Sequence, residues 1–184
     1  MRYLCAILCF AAGLCLAAPD SGQDLVFKDL SDIPRHPLDA AGKDGSVLIF
    51  YWQDCPISNG YAPELNRIAA SETNFAFYIV QVDVNLSRAE AKEHARQLNL
   101  QMPVLLDPEH RLVKQTKATA TPEAVVIGKA GQILYRGRID DAYAALGKKR
   151  AAARHRDLLE ALHAVAAGQP VKQKETTVIG CLIE

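Results

Sequence analysis

Residues 46–52 form a short apolar run, closed by Gly45 on one side and by Gln53-Asp54-Cys55-Pro56 on the other. A run of that length with no polar alternation predicts a strand buried on both faces, inside a sheet covered from two sides. Tyr61, Leu65 and Ile68 then recur at helical spacing over residues 57–70, with Pro63 set to kink that helix. Cys55 therefore stands where a buried strand hands over to a helix.

The rest of the chain alternates in the same way. Residues 75–84 are apolar and β-branched and predict a second strand. Residues 88–98, rich in Ala, Glu, Lys, Arg and Gln, predict a helix. A short strand at 104–106 and a small helix at 109–117 follow. Residues 123–127 and 133–135 flank Lys129-Ala130-Gly131 and read as a hairpin. A terminal helix over 157–167 has Leu158, Leu159, Leu162 and Val165 on one face, Asp157 as its expected cap and Gly168 as its stop. Strand and helix in alternation, then a hairpin and a helix, predict an α/β fold with a mixed sheet flanked by helices. The organisation expected is a signal peptide at 1–18, an irregular lead-in at 19–45, one domain at 46–168, and a tail at 169–184. Leu25-Val26-Phe27 is expected as a short strand or a clamp onto the core. The tail turns apolar around Cys181, which suggests that its end docks back on the domain.

Residues 1–18 carry Arg2, a nearly continuous apolar stretch from Leu4 to Leu16, and small residues before Pro19, the pattern of a secretory signal. Export to a periplasmic or extracellular space is the expectation, with no stable membrane span once the signal is removed. Lys+Arg and Asp+Glu number 21 each, so the net charge is zero and no basic stripe argues for nucleic acid. Cys5, Cys9 and Cys15 fall in the signal, which leaves Cys55 and Cys181 in the mature chain.

A thiol at the first turn of a helix is favoured as thiolate, the form that attacks disulfides and peroxides. The expected sulfur is exposed and modestly activated, with Ser58 adding a hydroxyl hydrogen bond and Asp54 opposing ionisation. Cys181 is a candidate resolving thiol or one end of a permanent bridge, and closing so long a loop would restrict the unfolded chain by about 4–5 kcal/mol. Trp52 and Tyr61 are candidates to shield the sulfur from water. Arg136 and Arg138 are candidates to support a thiolate or an anion. The histidines, His94 and His110 among them, read as surface residues.

Phe50-Tyr51 ahead of Asp54-Cys55-Pro56-Ile57-Ser58, with Pro63-Glu64-Leu65 after it, resembles the thioredoxin-fold redoxins of the alkyl hydroperoxide reductase/thiol-specific antioxidant (AhpC/TSA) group. Ala120-Thr121-Pro122-Glu123-Ala124 resembles the loop where that family keeps a cis proline facing its reactive cysteine. The segment from Tyr135 to Asp141, taken with Gly180-Cys181-Leu182-Ile183, is similar to an exported subgroup. The resemblance implies a thioredoxin-like three-layer fold. It also implies that Thr121 offers its backbone to an extended substrate segment beside Cys55, with Pro122 and Trp52 completing the substrate site. The chain departs from the family in three places. Ser58 stands where thioredoxins have a second cysteine, Leu48 and Trp52 where typical peroxiredoxins have proline and threonine, and Ile49 where thioredoxins bury an acid.

The reading is an exported thiol-dependent oxidoreductase and antioxidant, with Cys55, Ser58 and Cys181 as catalytic residues. It needs no cofactor and works with a thiol or disulfide protein partner and an external reductant. Disulfide exchange and peroxide reduction both stay open. Two other classes stay open as well: a Cu(I)-binding chaperone that uses Cys55 and Cys181 as ligands, as related copper-delivery folds do, and a redox-inert binding module with a structural disulfide.

Overall fold

The structure is a computed structural model that describes residues 25–40 and 42–184. The expected signal, with Cys5, Cys9 and Cys15, lies outside the described residues.

A lead-in hairpin of β1 (Phe27–Lys28) and β2 (Pro34–Arg35) precedes the main elements. These are β3 (Gly45–Tyr51), α1 (Pro56–Ser71), β4 (Phe75–Gln81), α2 (Arg88–Gln97), β5 (Val104–Leu106) and α3 (Arg111–Thr116). The second half contains β6 (Ala120–Thr121), β7 (Glu123–Gly128), β8 (Ile133–Gly137), β9 (Tyr143–Ala145), β10 (Lys148–Lys149), α4 (Asp157–Ala166) and β11 (Cys181–Leu182). The central sheet has five strands in the order β5-β4-β3-β7-β8. β3 runs parallel to β4 and antiparallel to β7, so the sheet is mixed, with β3 at its centre.

Every residue of β3 is buried, as its unbroken apolar run predicts. Its alternate side chains divide between two cores. Val47, Ile49 and Tyr51 pack with Leu65 and Ile68 of α1 and with Leu158 and Leu162 of α4. Leu48 and Phe50 face the other way, onto Leu112 of α3 and onto Leu25 and Phe27. The lead-in is therefore part of the second core's cover. It is held by Asp29, whose carboxylate accepts from the Ser31 and Ile33 amides and pairs with Arg35 at 2.7 Å.

Two local expectations are corrected. Asp157 is the first helical residue of α4 and Arg156 its cap, because the Asp157 carboxylate is taken by Arg138 in a two-pronged pair at 2.7 and 3.1 Å. The strand expected to end at residue 84 ends at Gln81. Beyond it the chain turns toward Ser87, which caps α2 in a reciprocal capping box with Glu90.

Candidate active site

β3 delivers the chain to the site. After Tyr51 the backbone turns, Cys55 N–H donating to the Trp52 carbonyl at 3.0 Å, and Cys55 becomes the N-cap of α1. Pro56 occupies the first helical position, where its missing N–H costs nothing. The cap geometry leaves the amides of Ile57 and Ser58 free to point back at the sulfur, since the first-turn N–H groups of a helix have no partner within it.

Facing Cys55 is the Thr121-Pro122 segment, whose peptide bond is cis, as the family resemblance implied. The Thr121 carbonyl lies 3.4 Å from the Cys55 sulfur and accepts its S–H when the thiol is neutral. The segment is fixed by Glu123, a buried side chain at the head of β7 whose role no sequence pattern marks. One oxygen of its carboxylate accepts from the Thr119 amide at 2.7 Å and the Ala120 amide at 3.1 Å.

The tail completes the site. β11 pairs antiparallel with β6, Cys181 opposite Thr121 and Leu182 opposite Ala120. The Ile183 amide donates to the Thr119 carbonyl at 3.0 Å. Upstream, the Arg136 amide donates to the Lys174 carbonyl, and the Thr176 hydroxyl meets both the Tyr135 hydroxyl and the Arg138 amide. Two glycines allow these approaches. A Cβ on Gly180 would lie 2.0 Å from the Thr121 oxygen, and one on Gly137 would lie 2.1 Å from the Thr176 hydroxyl oxygen.

Docking sets Cys181 opposite Thr121, whose carbonyl oxygen lies 3.4 Å from the Cys55 sulfur, and both cysteines are free thiols. The pair is electrostatically unequal. Burial pushes the Cys55 thiol up, yet hydrogen bonds from Cys181, from the Ser58 amide and hydroxyl and from the Ile57 amide outweigh it and hold its pKa below the ordinary value. Burial and the adjacent Cys55 push Cys181 the opposite way, to about 12. The buried Ser58 hydroxyl has no hydrogen-bond partner among the described residues, and an ionised Cys55 sulfur would give it an acceptor.

The expectation of an exposed sulfur is overturned: Cys55 is fully buried. The physical reason is the tail, whose Ile179 and Cys181 pack on the cluster that contains Cys55. The arginines are corrected too. Arg136 is engaged by Glu175 at 2.7 Å, and Arg138 by Asp157 at 2.7 Å, so both guanidiniums anchor structure and leave the sulfur to uncharged donors. Trp52 is partly buried between the two cores. The Tyr61 hydroxyl is bonded to the Asp140 carboxylate at 2.5 Å.

Burial holds the His94 pKa below the ordinary imidazole value, and Asp54 at the helix start opposes that shift only in part. His94 is no plain surface residue. It meets the Asn59 side chain at 3.1 Å, and Asn59 in turn accepts from the Tyr51 hydroxyl at 3.0 Å. His110 is held by the Val82 carbonyl at 2.8 Å. Among the described residues no group of three or more His, Cys, Asp and Glu is placed to hold a metal. No described helix is long and apolar enough to cross a membrane.

The AhpC/TSA family model matches residues 23–136. That span holds Cys55 and the Thr121-Pro122 segment and stops short of the tail. A comparison with curated protein sequences gave no match. Among solved structures, an uncharacterized conserved protein from Geobacillus kaustophilus superposes with a TM-score of 0.76 at 22% identity, over 86% of this chain and 87% of that one. A hypothetical protein from Sinorhizobium meliloti gives 0.75 at 20% identity, over 87% and 90%. A secreted Mycobacterium tuberculosis disulfide oxidoreductase homologous to E. coli DsbE gives 0.55 at 21% identity, over 78% and 96%. These likenesses establish the thioredoxin-like architecture.

Proposed function

The chain belongs to the AhpC/TSA family and has a thioredoxin-like fold, and from that premise we propose that it is an exported thiol–disulfide oxidoreductase with Cys55 as nucleophile and Cys181 as partner thiol. The observation that carries this reading is the pairing itself. β11 sets Cys181 opposite Thr121, whose carbonyl lies 3.4 Å from the Cys55 sulfur, and the two thiols are shifted oppositely, Cys55 below its ordinary value and Cys181 up to about 12.

In the proposed cycle the Cys55 thiolate attacks one sulfur of a substrate disulfide, forming a mixed disulfide as the substrate S–S bond breaks. The departing substrate thiolate takes up a proton. Cys181 then loses its proton and attacks the Cys55 sulfur, releasing the second substrate thiol and leaving a Cys55–Cys181 disulfide. Two electrons have passed to the substrate, and an external dithiol returns them. Once Cys55 is in the mixed disulfide, the charge beside Cys181 is gone and only burial still opposes its ionisation. Ser58 and the Ile57 amide steady the Cys55 thiolate at the start and regain it at the end.

Exchange is favoured over peroxide reduction because the donors to Cys55 are uncharged and both nearby arginines are committed elsewhere. Leu48, at a position where peroxiredoxins keep proline, points into the opposite core. Residues 1–18 have the pattern of a secretory signal, which would place the pair in an oxidising compartment.

Equilibration in glutathione buffers tests the reading. A Cys55–Cys181 bridge that forms and breaks near the glutathione poise is expected, with disulfide reductase activity lost in Cys55→Ser. A bridge intact below about −300 mV would make it a staple instead. Tight one-to-one Cu(I) binding lost in both Cys55→Ser and Cys181→Ser would move the assignment to copper handling.

A further inference from the structure

We propose that the groove beside Cys55 takes extended, cysteine-bearing segments in which glycine immediately precedes the cysteine, and that the chain's own Gly180-Cys181-Leu182 is its resident occupant. This names the substrate class of the site above and rests on that reading.

The tail enters the groove as a foreign peptide would. An added strand gains main-chain hydrogen bonds from an exposed edge, while the shape around its side chains sets which sequences fit. β11 supplies such a strand, antiparallel to Ala120–Thr121, and sets Cys181 opposite Thr121, whose carbonyl lies 3.4 Å from the Cys55 sulfur. A substrate sulfur must stand in that same place to be attacked.

The shape requirement falls on one position. A Cβ at residue 180 would meet the Thr121 carbonyl oxygen at 2.0 Å and its carbon at 2.7 Å. These are backbone atoms of a segment fixed by Glu123, so the groove cannot widen as it would around a flexible side chain. The position after the cysteine is permissive, because Leu182 is 77% exposed. Beyond it a cleft of about 240 Å³ opens between the tail's last three residues and Trp52, Val82 and Val84, with room for a longer partner.

The occupant can leave without losing its hold on the domain. Lys174 and Thr176 are fastened to β8, and the few residues between them and Gly180 act as a short tether. A tethered occupant at millimolar effective concentration suppresses a peptide supplied at about 0.1 mM roughly tenfold. Entry exchanges one antiparallel strand for another, after which Cys55 attacks the incoming sulfur, the incoming S–S bond breaks, and its second half leaves as a thiol.

The test uses the full chain carrying Cys181→Ser, which leaves Cys55 as the thiol under study. The probes are the disulfide-linked dimer of the peptide Thr-Val-Ile-Gly-Cys-Leu-Ile-Glu and its counterpart with alanine for glycine. Mixed disulfide at Cys55, read by mass spectrometry, is expected about tenfold or more faster with the glycine peptide. Adding Gly180→Ala, which evicts the tail, is expected to speed the glycine peptide about tenfold. Equal rates for the two peptides would overturn the proposal on the Cys181→Ser chain alone, whether or not the glycine variant folds. So would a folded Gly180→Ala variant with no gain. Hydroxyethyl disulfide separates the two readings. If Cys55 reacts with it while the peptides are undistinguished, this proposal falls and the exchange function stands. If Cys55 is inert toward it even in Gly180→Ala, both fall.

Discussion

At the scale of single residues, the two cysteines of the candidate site are shifted in opposite directions. The Cys55 pKa lies below the ordinary thiol value and that of Cys181 is raised to about 12, and each shift has the other cysteine among its causes. The stability consequences have opposite signs. A lowered folded pKa means that the Cys55 thiolate stabilises the fold above the ordinary thiol value of 9.0, a contribution that fades as pH falls through the lowered value. A raised folded pKa means that neutral Cys181 stabilises the fold at low pH, and that contribution is lost as pH climbs from 9.0 toward about 12. Cys181→Ala removes the largest donor to Cys55, so the thiolate absorbance of Cys55 should titrate at higher pH. Cys181→Ser keeps a hydroxyl donor and should shift it less. Ser58→Ala should also raise it, because the Ser58 hydroxyl is among the groups that lower the Cys55 pKa. A Cys55 transition indifferent to all three changes would mean that the helix amides alone set its pKa.

At the scale of elements, the site depends on a two-residue strand fixed by one carboxylate. Glu123 sits 3% exposed at the head of β7 and accepts two amides from the segment that faces Cys55. Glu123→Ala would leave those amides without a partner and should cost about 1–3 kcal/mol in denaturant unfolding. Faster amide exchange at Thr119 and Ala120 should accompany that loss, and an unchanged exchange rate would show that β11 alone holds the segment. The elements that sequence patterning made legible are those with a period to read: β3, β4 and β7 as apolar runs, and α1 and α4 as stripes. Cys55 at the strand–helix junction was legible from the apolar run and the helical spacing after it, and Thr121-Pro122 opposite it through family resemblance. β6, β9, β10 and β11 were not, because ladders of two or three residues have no period of their own; β9 and β10 pair only with each other, and β6 and β11 exist only where distant segments meet. Gly180 stood in plain view in the tail, yet its meaning depends on a carbonyl oxygen 59 positions earlier in the chain. Glu123 looked like an ordinary strand residue for the same reason. The burial of Cys55 was misjudged because its cover comes from the chain's far end.

At the scale of the whole molecule, the chain is a family fold closed by a segment the family match does not span. The match ends at Arg136, and the residue where it stops is the one that first grips the tail, through its amide, its carbonyl and its guanidinium. Oxidation should turn this grip into a lock. In the reduced protein the end of the tail is held by a short ladder, a few hydrogen bonds and partial burial of Ile179 and Cys181. Such contacts open locally at little cost, far below global unfolding. Cys181 lies opposite Thr121, whose carbonyl is 3.4 Å from the Cys55 sulfur, so a Cys55–Cys181 bridge would form within the docked arrangement and should restrict the unfolded chain by about 4–5 kcal/mol at most. Hydrogen exchange of the oxidised protein should therefore be slower at Cys181 and Ile183, whose amides lie in the docked segment, and Tm should rise with it. Cys55→Ser should erase both differences between oxidising and reducing conditions. Faster exchange of these amides after oxidation would mean that the bridge draws the tail out of its groove. Cys181 would then resolve mixed disulfides from a different pose than the one in which it covers Cys55.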